Sequence, residues 1–240
     1  MCDHSAWAPL LPHWGAAHTI LTADYGMADT TVNMAETALN QAKARFGDAP
    51  FAVLGHSMGG RVALELMRKP ASRSVTHLAL MGTGFAPVAA GEAGEQEISG
   101  RMGHLHTAQT LGVLAMAANW ATGMVAPHRL MDMALMGTIF TMFARKSPAV
   151  LAAQQQALIQ RQDGSSVLKS LRIPTLFLTG RMDGWANVAQ HQAMLDLCAP
   201  HNPKASLTVI ESSGHMLMME APAETARVLA GFLGMAFVAY

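Results

Sequence analysis

The sequence predicts an α/β protein: a mostly parallel sheet with helices on both faces and an inserted helical segment. Two patterns predict it. Apolar runs of strand length alternate with amphipathic helical stretches, and one strand passes through a glycine-flanked serine directly into a helix. A third observation predicts the insertion, because between residues 85 and 165 helical stretches follow one another with no strand between them. The expected organisation is a first core part (1–84), an insertion (85–165) and a second core part (166–240).

A chain of 240 residues can bury one sizeable core unaided. It is 51% hydrophobic and 13% charged with zero formal net charge, which excludes a basic nucleic-acid surface or a strongly acidic partner. Cys2 and Cys198 are too few for a disulfide framework and lack metal-ligand spacing, so no metal or other cofactor is expected and the cytoplasm is the default compartment. No signal peptide is visible at residues 1–4. The longest charge-free stretch, 102–128, is too interrupted by polar residues for a membrane span.

Trp7, Leu10, Leu11 and Trp14 have the spacing of a short helix that Gly15 stops. Residues 18–23 then read as a strand, and Val32, Ala35, Leu39, Ala42 and Phe46 as one face of a helix. The turn Gly47-Asp48-Ala49-Pro50 leads to a strand at 51–54, a helix from Arg61, and a further strand at 75–81. In the insertion, Gly91-Glu92-Ala93-Gly94 reads as a hinge. Residues 130–143 are apolar nearly all round and should be covered on more than one side, and Ser147-Pro148 starts a last helix that Gly164 could end. A strand at 173–179, a helix from Asn187, a strand at 206–210 and a final helix from Pro222 complete the chain. With the strand at 18–23 included, about five strands are expected.

Gly55-His56-Ser57-Met58-Gly59-Gly60 sits between strand and helix, where only residues without Cβ atoms leave room for so sharp a reversal. The turn raises the Ser57 hydroxyl at the carboxyl end of the sheet and aims the Met58 backbone N–H at the same point. A serine hydroxyl needs a base, and the base needs an anion to fix its tautomer. Asp183, in Gly180-Arg181-Met182-Asp183, and His215, in Ser213-Gly214-His215, likewise follow strands, so all three converge at one end of the sheet.

The elbow, the insertion, the Asp183 turn after a strand and the Ser-Gly-His after the last strand resemble the α/β-hydrolase superfamily over essentially the whole chain. The resemblance implies that Ser57 is the nucleophile, His215 the general base and acid, and Asp183 the orienting carboxylate. It also implies an N-terminally shortened core, since the family's first three strands precede the helix at Trp7 and Met1 lies only a few residues ahead of it. The Met58 N–H would then be one oxyanion donor, and the second falls on Cys2 or is missing. Met131, Met136 and Met216 are candidates for an adaptable substrate pocket.

The implied function is a serine hydrolase, a carboxylesterase acting on a small, mostly apolar ester through an acyl-enzyme. Carbon–carbon bond hydrolysis, acyl transfer or perhydrolysis on the same triad are alternatives, as is a binding protein with little turnover. The expected partner is a small-molecule ester; the oligomeric state is open, with a homodimer among the options.

Overall fold

The structure is a computed structural model that describes residues 2–15 and 18–239; Met1, placed by the sequence just ahead of the first helix, lies outside them. The sheet has four strands among the described residues, β1 (Phe51–His56), β2 (Val75–Met81), β3 (Thr175–Gly180) and β4 (Ala205–Ile210), paired in that order and all parallel. The register sets Leu54 opposite Ala79, Leu80 opposite Phe177 and Leu178 opposite Thr208.

Strand periodicity sorts the core into two layers. From β2, Leu78 and Leu80 face one side and Ala79 and Met81 the other; from β3, Phe177 faces the first side and Leu176 and Leu178 the second. The first side is covered by α3 (Met58–Met67), α8 (Ser165–Ser170) and α9 (Val188–Cys198), with α2 (Thr31–Phe46) packed on α3. The second is covered by 3-10 turns at 4–10, the short α1 (Leu11–Trp14), α10 (Leu217–Glu220) and α11 (Pro222–Leu233). Trp14 Nε1 donates to the Ala226 carbonyl at 3.1 Å, fastening the start of the chain to α11.

Between β2 and β3 lie α4 (Glu92–Thr110), α5 (Val113–Trp120), α6 (Met133–Ala144) and α7 (Pro148–Ile159). Local signals set several boundaries as the sequence predicts. Ser147 Oγ accepts from Val150 N–H at 3.2 Å, Asn187 Oδ1 accepts from Gln190 N–H at 3.0 Å, and Pro222 opens α11. Gly91 caps α4 at φ 72°. α7 ends at Ile159, five residues before Gly164, which instead stands at the start of α8.

Two expectations are corrected. Residues 18–23 belong to no strand, so the sheet has four strands among the described residues and not five. β-branched residues favour a strand only where a neighbour takes up their backbone groups, and here 18–23 line a cleft, as β1 does, without pairing to it. β1 is therefore an edge strand. The α6 helix, in turn, buries one face (Leu135, Met136, Ile139, Met142, Phe143) and leaves Met133 77% exposed, so it is covered on one side only.

Candidate active site

The elbow is held in a costly conformation. Ser57 has φ 56°, and it is the one residue other than glycine with positive φ among those described. A non-glycine residue held there costs ~1–3 kcal/mol and persists only when its surroundings fix it. They do: Ser57 N–H donates to the Met81 carbonyl at 2.9 Å, and Thr83 Oγ1 donates to the Ser57 carbonyl at 2.7 Å. A Cβ on Gly55 would stand 2.6 Å from the Gly59 carbonyl oxygen, which is why the strand-to-helix reversal requires glycine there.

Asp183 and His215 arrive on the turns after β3 and β4, and those turns touch. A Cβ on Gly180 would collide with the backbone oxygens of Ser213 and Gly214, so the glycine lets one turn lie against the other. His215 Nδ1 lies 2.9 Å from Asp183 Oδ2, and His215 Nε2 lies 3.0 Å from Ser57 Oγ. Because a carboxylate only accepts, Nδ1 carries the proton and Nε2 is left to accept from the serine hydroxyl. The other Asp183 oxygen accepts from the N–H groups of Trp185 (2.9 Å) and Ala186 (2.8 Å). Burial pushes the Asp183 carboxyl up, but the His215 ring and these N–H bonds outweigh it and hold the group below its ordinary value.

Ser57 and His215 line a cleft of about 860 Å³, with Asp183 buried behind the imidazole. Met58 heads α3, so its N–H has no partner within the helix and is available beside Ser57. Cys2 lines the same cleft, as do residues 18–23, the edge of β1, and an aromatic wall of Trp120, Phe143 and Trp185. Trp185 stacks on Trp120 with ring centroids 5.4 Å apart and leans on His215 at 5.0 Å. Met131, Met136 and Met216 do not line this cleft: Met131 is 85% exposed in the turn ahead of α6, whereas Met136 and Met216 are buried in the core. The face of α6 that packs inward is spent on the core, with only Phe143 reaching the cleft.

Glu220, unremarked in the sequence, ties the His215 turn to the inserted segment. Its buried carboxylate accepts from the N–H groups of Ala126 (2.7 Å), Gly214 (3.0 Å) and Met216 (3.0 Å). Alongside it, the Met124 carbonyl accepts from the N–H groups of both His215 and Met216. Burial pushes the Glu220 carboxyl above its ordinary value, against the pull of those three N–H groups and of Arg129. The signal for it was an acidic residue closing the apolar run Met216-Leu217-Met218-Met219.

His56 sits against the same turn. Its Nε2 lies 2.8 Å from the His215 carbonyl, which fixes it as the donor. Burial first, and the neighbouring His215 second, lower its pKa from 6.5 to about 3. A neutral histidine in the fold that titrates near its ordinary value when unfolded contributes its full stabilisation above pH ~6.5 and loses it as pH falls, at about 1.4 kcal/mol per pH unit. His191, also shifted down by burial, acts in the same direction. Urea midpoints measured from pH 7 to 5 should therefore fall more steeply for the native chain than for His56→Gln; equal slopes would contradict the assignment.

A profile of the Alpha/beta hydrolase family matches residues 2–228. No curated protein matches the sequence. Among solved structures, a thermophilic esterase from Thermogutta terrifontis with malate bound aligns with a TM-score of 0.80 at 19% identity, over 97% of this chain and 86% of that one. An enol-lactonase from Burkholderia xenovorans LB400 aligns with a TM-score of 0.76 at 19% identity (97% and 87% covered), and a bromoperoxidase from Bacillus anthracis with 0.77 at 14% (97% and 88%). At such identities these likenesses speak of fold. The profile, however, runs through the elbow and on past both the acid turn and the histidine turn: the chain belongs to the alpha/beta hydrolase family.

Proposed function

We propose that the protein is a serine carboxylesterase acting on small, mostly apolar esters. The observation that carries this reading is the continuous hydrogen-bond chain from Ser57 through His215 to Asp183. Ser57 Oγ attacks the ester carbonyl carbon while His215 Nε2 takes its proton. The tetrahedral oxyanion is met by the Met58 N–H, with Cys2, which lines the same cleft, as the place for a second donor. His215 returns the proton to the leaving alkoxide, and the Ser57 acyl ester is then hydrolysed by a water that His215 deprotonates. Asp183 keeps the imidazole in the required tautomer and stabilises the imidazolium.

The helices α4 to α7 serve in this reading as a cap that brings Trp120 and Phe143 to the cleft, where with Trp185 from the turn after β3 they favour aryl or short acyl groups. Among the described residues no helix is long and apolar enough to cross a membrane. Cys2 and Cys198 are both free thiols, in keeping with a reducing cytoplasm.

The test is covalent labelling. A fluorophosphonate should modify Ser57 stoichiometrically, found by peptide mapping, and should abolish 4-nitrophenyl acetate hydrolysis in step. Hydrolysis that survives complete labelling would remove Ser57 from the mechanism.

A further inference from the structure

Within the cleft one group of side chains has no part in the triad chemistry. Arg61 lies four residues after Ser57, one turn along α3 and on the same side of it. Its Nη1 donates to the Ala86 carbonyl at 2.8 Å, its single hydrogen bond among the described residues, and it has no ion-pair partner among them. Arg161 reaches the same carbonyl through Nε at 3.1 Å and grips Glu97 at 2.6 and 2.8 Å. Arg101 also binds Glu97, through Nε at 2.9 Å and Nη2 at 2.8 Å, and donates to Gln155 Oε1 at 3.2 Å.

Three guanidinium groups thus gather with one carboxylate, which pairs with two of them and leaves Arg61 unpaired, an excess of two positive charges in a protein whose formal net charge is zero. Arg61, Gln96, Glu97, Arg101 and Gln155 line the cleft onto which Ser57 and His215 open. Burial, and then the nearby Arg161, pull the Arg61 pKa down to about 9, with Glu97 pulling the other way. Glu97 is already engaged by two arginines, and its pKa is held at about 2 because their bonds and charges outweigh its burial. The planar fork of Arg61 suits a carboxylate, which accepts two parallel hydrogen bonds, and Arg101, whose own fork is on Glu97, adds its positive charge alongside.

We propose that Arg61 and Arg101 form a carboxylate subsite in the catalytic cleft, so that the preferred substrate is an apolar ester carrying one free carboxylate remote from the scissile carbonyl. This rests on the serine esterase reading for the reaction, but not for the binding. Such a substrate places its apolar body along Trp120 and Trp185 and its anionic end on the arginines. A neutral substrate leaves Arg61 without a counter-charge in a partly dehydrated site.

Calorimetric titration of the full chain with monomethyl glutarate tests the subsite directly, with dimethyl glutarate as the neutral control and inorganic phosphate as the competing anion. Monomethyl glutarate should bind the native chain at least tenfold more tightly than dimethyl glutarate. Arg61→Gln and Arg101→Gln should each weaken it by roughly ten- to hundredfold, the range for a charge-assisted hydrogen bond, and Arg61→Lys should fall between. Should Arg61→Gln fail to fold for want of its bond to Ala86, Arg101→Gln and Arg61→Lys carry the comparison.

Equal binding of the two glutarates, or unchanged binding in the variants, would overturn the subsite. Phosphate binding more tightly than the carboxylate in an arginine-dependent way would overturn the assignment of its ligand. Turnover separates the two readings. If 4-nitrophenyl acetate is hydrolysed and labelled Ser57 is inactive, yet the arginines do not discriminate charge, only the subsite fails. If charge discrimination holds and no ester is cleaved, only the esterase reading fails.

Discussion

Ser57→Ala is expected to lower hydrolysis of 4-nitrophenyl acetate by about 10⁴- to 10⁶-fold, the loss typical when the nucleophile of a triad is removed. The size follows from the geometry: Ser57 Oγ is the atom poised 3.0 Å from His215 Nε2, and no other hydroxyl is bonded to that nitrogen among the described residues. The variant should keep its fold, because Ala occupies the same strained backbone as Ser and the bonds from Thr83 and to Met81 involve backbone atoms of residue 57. Circular dichroism and a urea midpoint near the native value would establish this. Residual turnover within tenfold of native would place the nucleophile elsewhere.

Glu220→Ala is expected to be the most damaging substitution of a single polar side chain outside the triad. It removes the acceptor of three buried N–H groups, those of Ala126, Gly214 and Met216, and each donor left unsatisfied costs about 1–3 kcal/mol. Met216 keeps its second acceptor at the Met124 carbonyl, so two donors are left fully unpaired and the total is roughly 2–6 kcal/mol. Against a typical stability of about 5–15 kcal/mol this is enough to threaten folding at physiological temperature. Glu220→Gln keeps the shape and one acceptor oxygen, and should lose less stability. Because His215 lies between Gly214 and Met216, that milder variant should lower kcat more than it raises KM, by up to ~10²-fold, through misplacement of the imidazole. A native urea midpoint for Glu220→Ala would show that the three donors find other partners.

The parts of this protein that follow local rules were legible in the sequence. Four strands, the elbow, and the caps at Ser147, Asn187 and Pro222 depend on residues within a few positions of each other, and pattern reading finds them. The convergence of Ser57, Asp183 and His215 at one end of the sheet could also be foreseen, because parallel strands present their carboxyl ends together. What failed depended on partners distant in sequence. Residues 18–23 have the composition of a strand, but a strand is made by its neighbour and none lies alongside. Met131 and Met136 were indistinguishable as candidates for the pocket, since a helix that is apolar all round does not announce which face turns inward. Glu220 and Arg61 were passed over because their roles depend on backbone groups and charges brought from Ala126, Ala86 and Arg161, far along the chain.

The long insertion also bears on how the protein folds. β1, α3 and β2 are neighbours in sequence and can pair early, whereas β2 meets β3 only after residues 82–174 have been looped out, at an entropic cost that grows with the logarithm of loop length. Ser57 lies on the near side of that closure; Asp183 and His215 lie beyond it. A nascent or partly refolded chain can thus hold a well-formed elbow and still be inert. Recovery of turnover during refolding therefore reports the docking of the two halves of the sheet, later than any spectroscopic signal from helix formation.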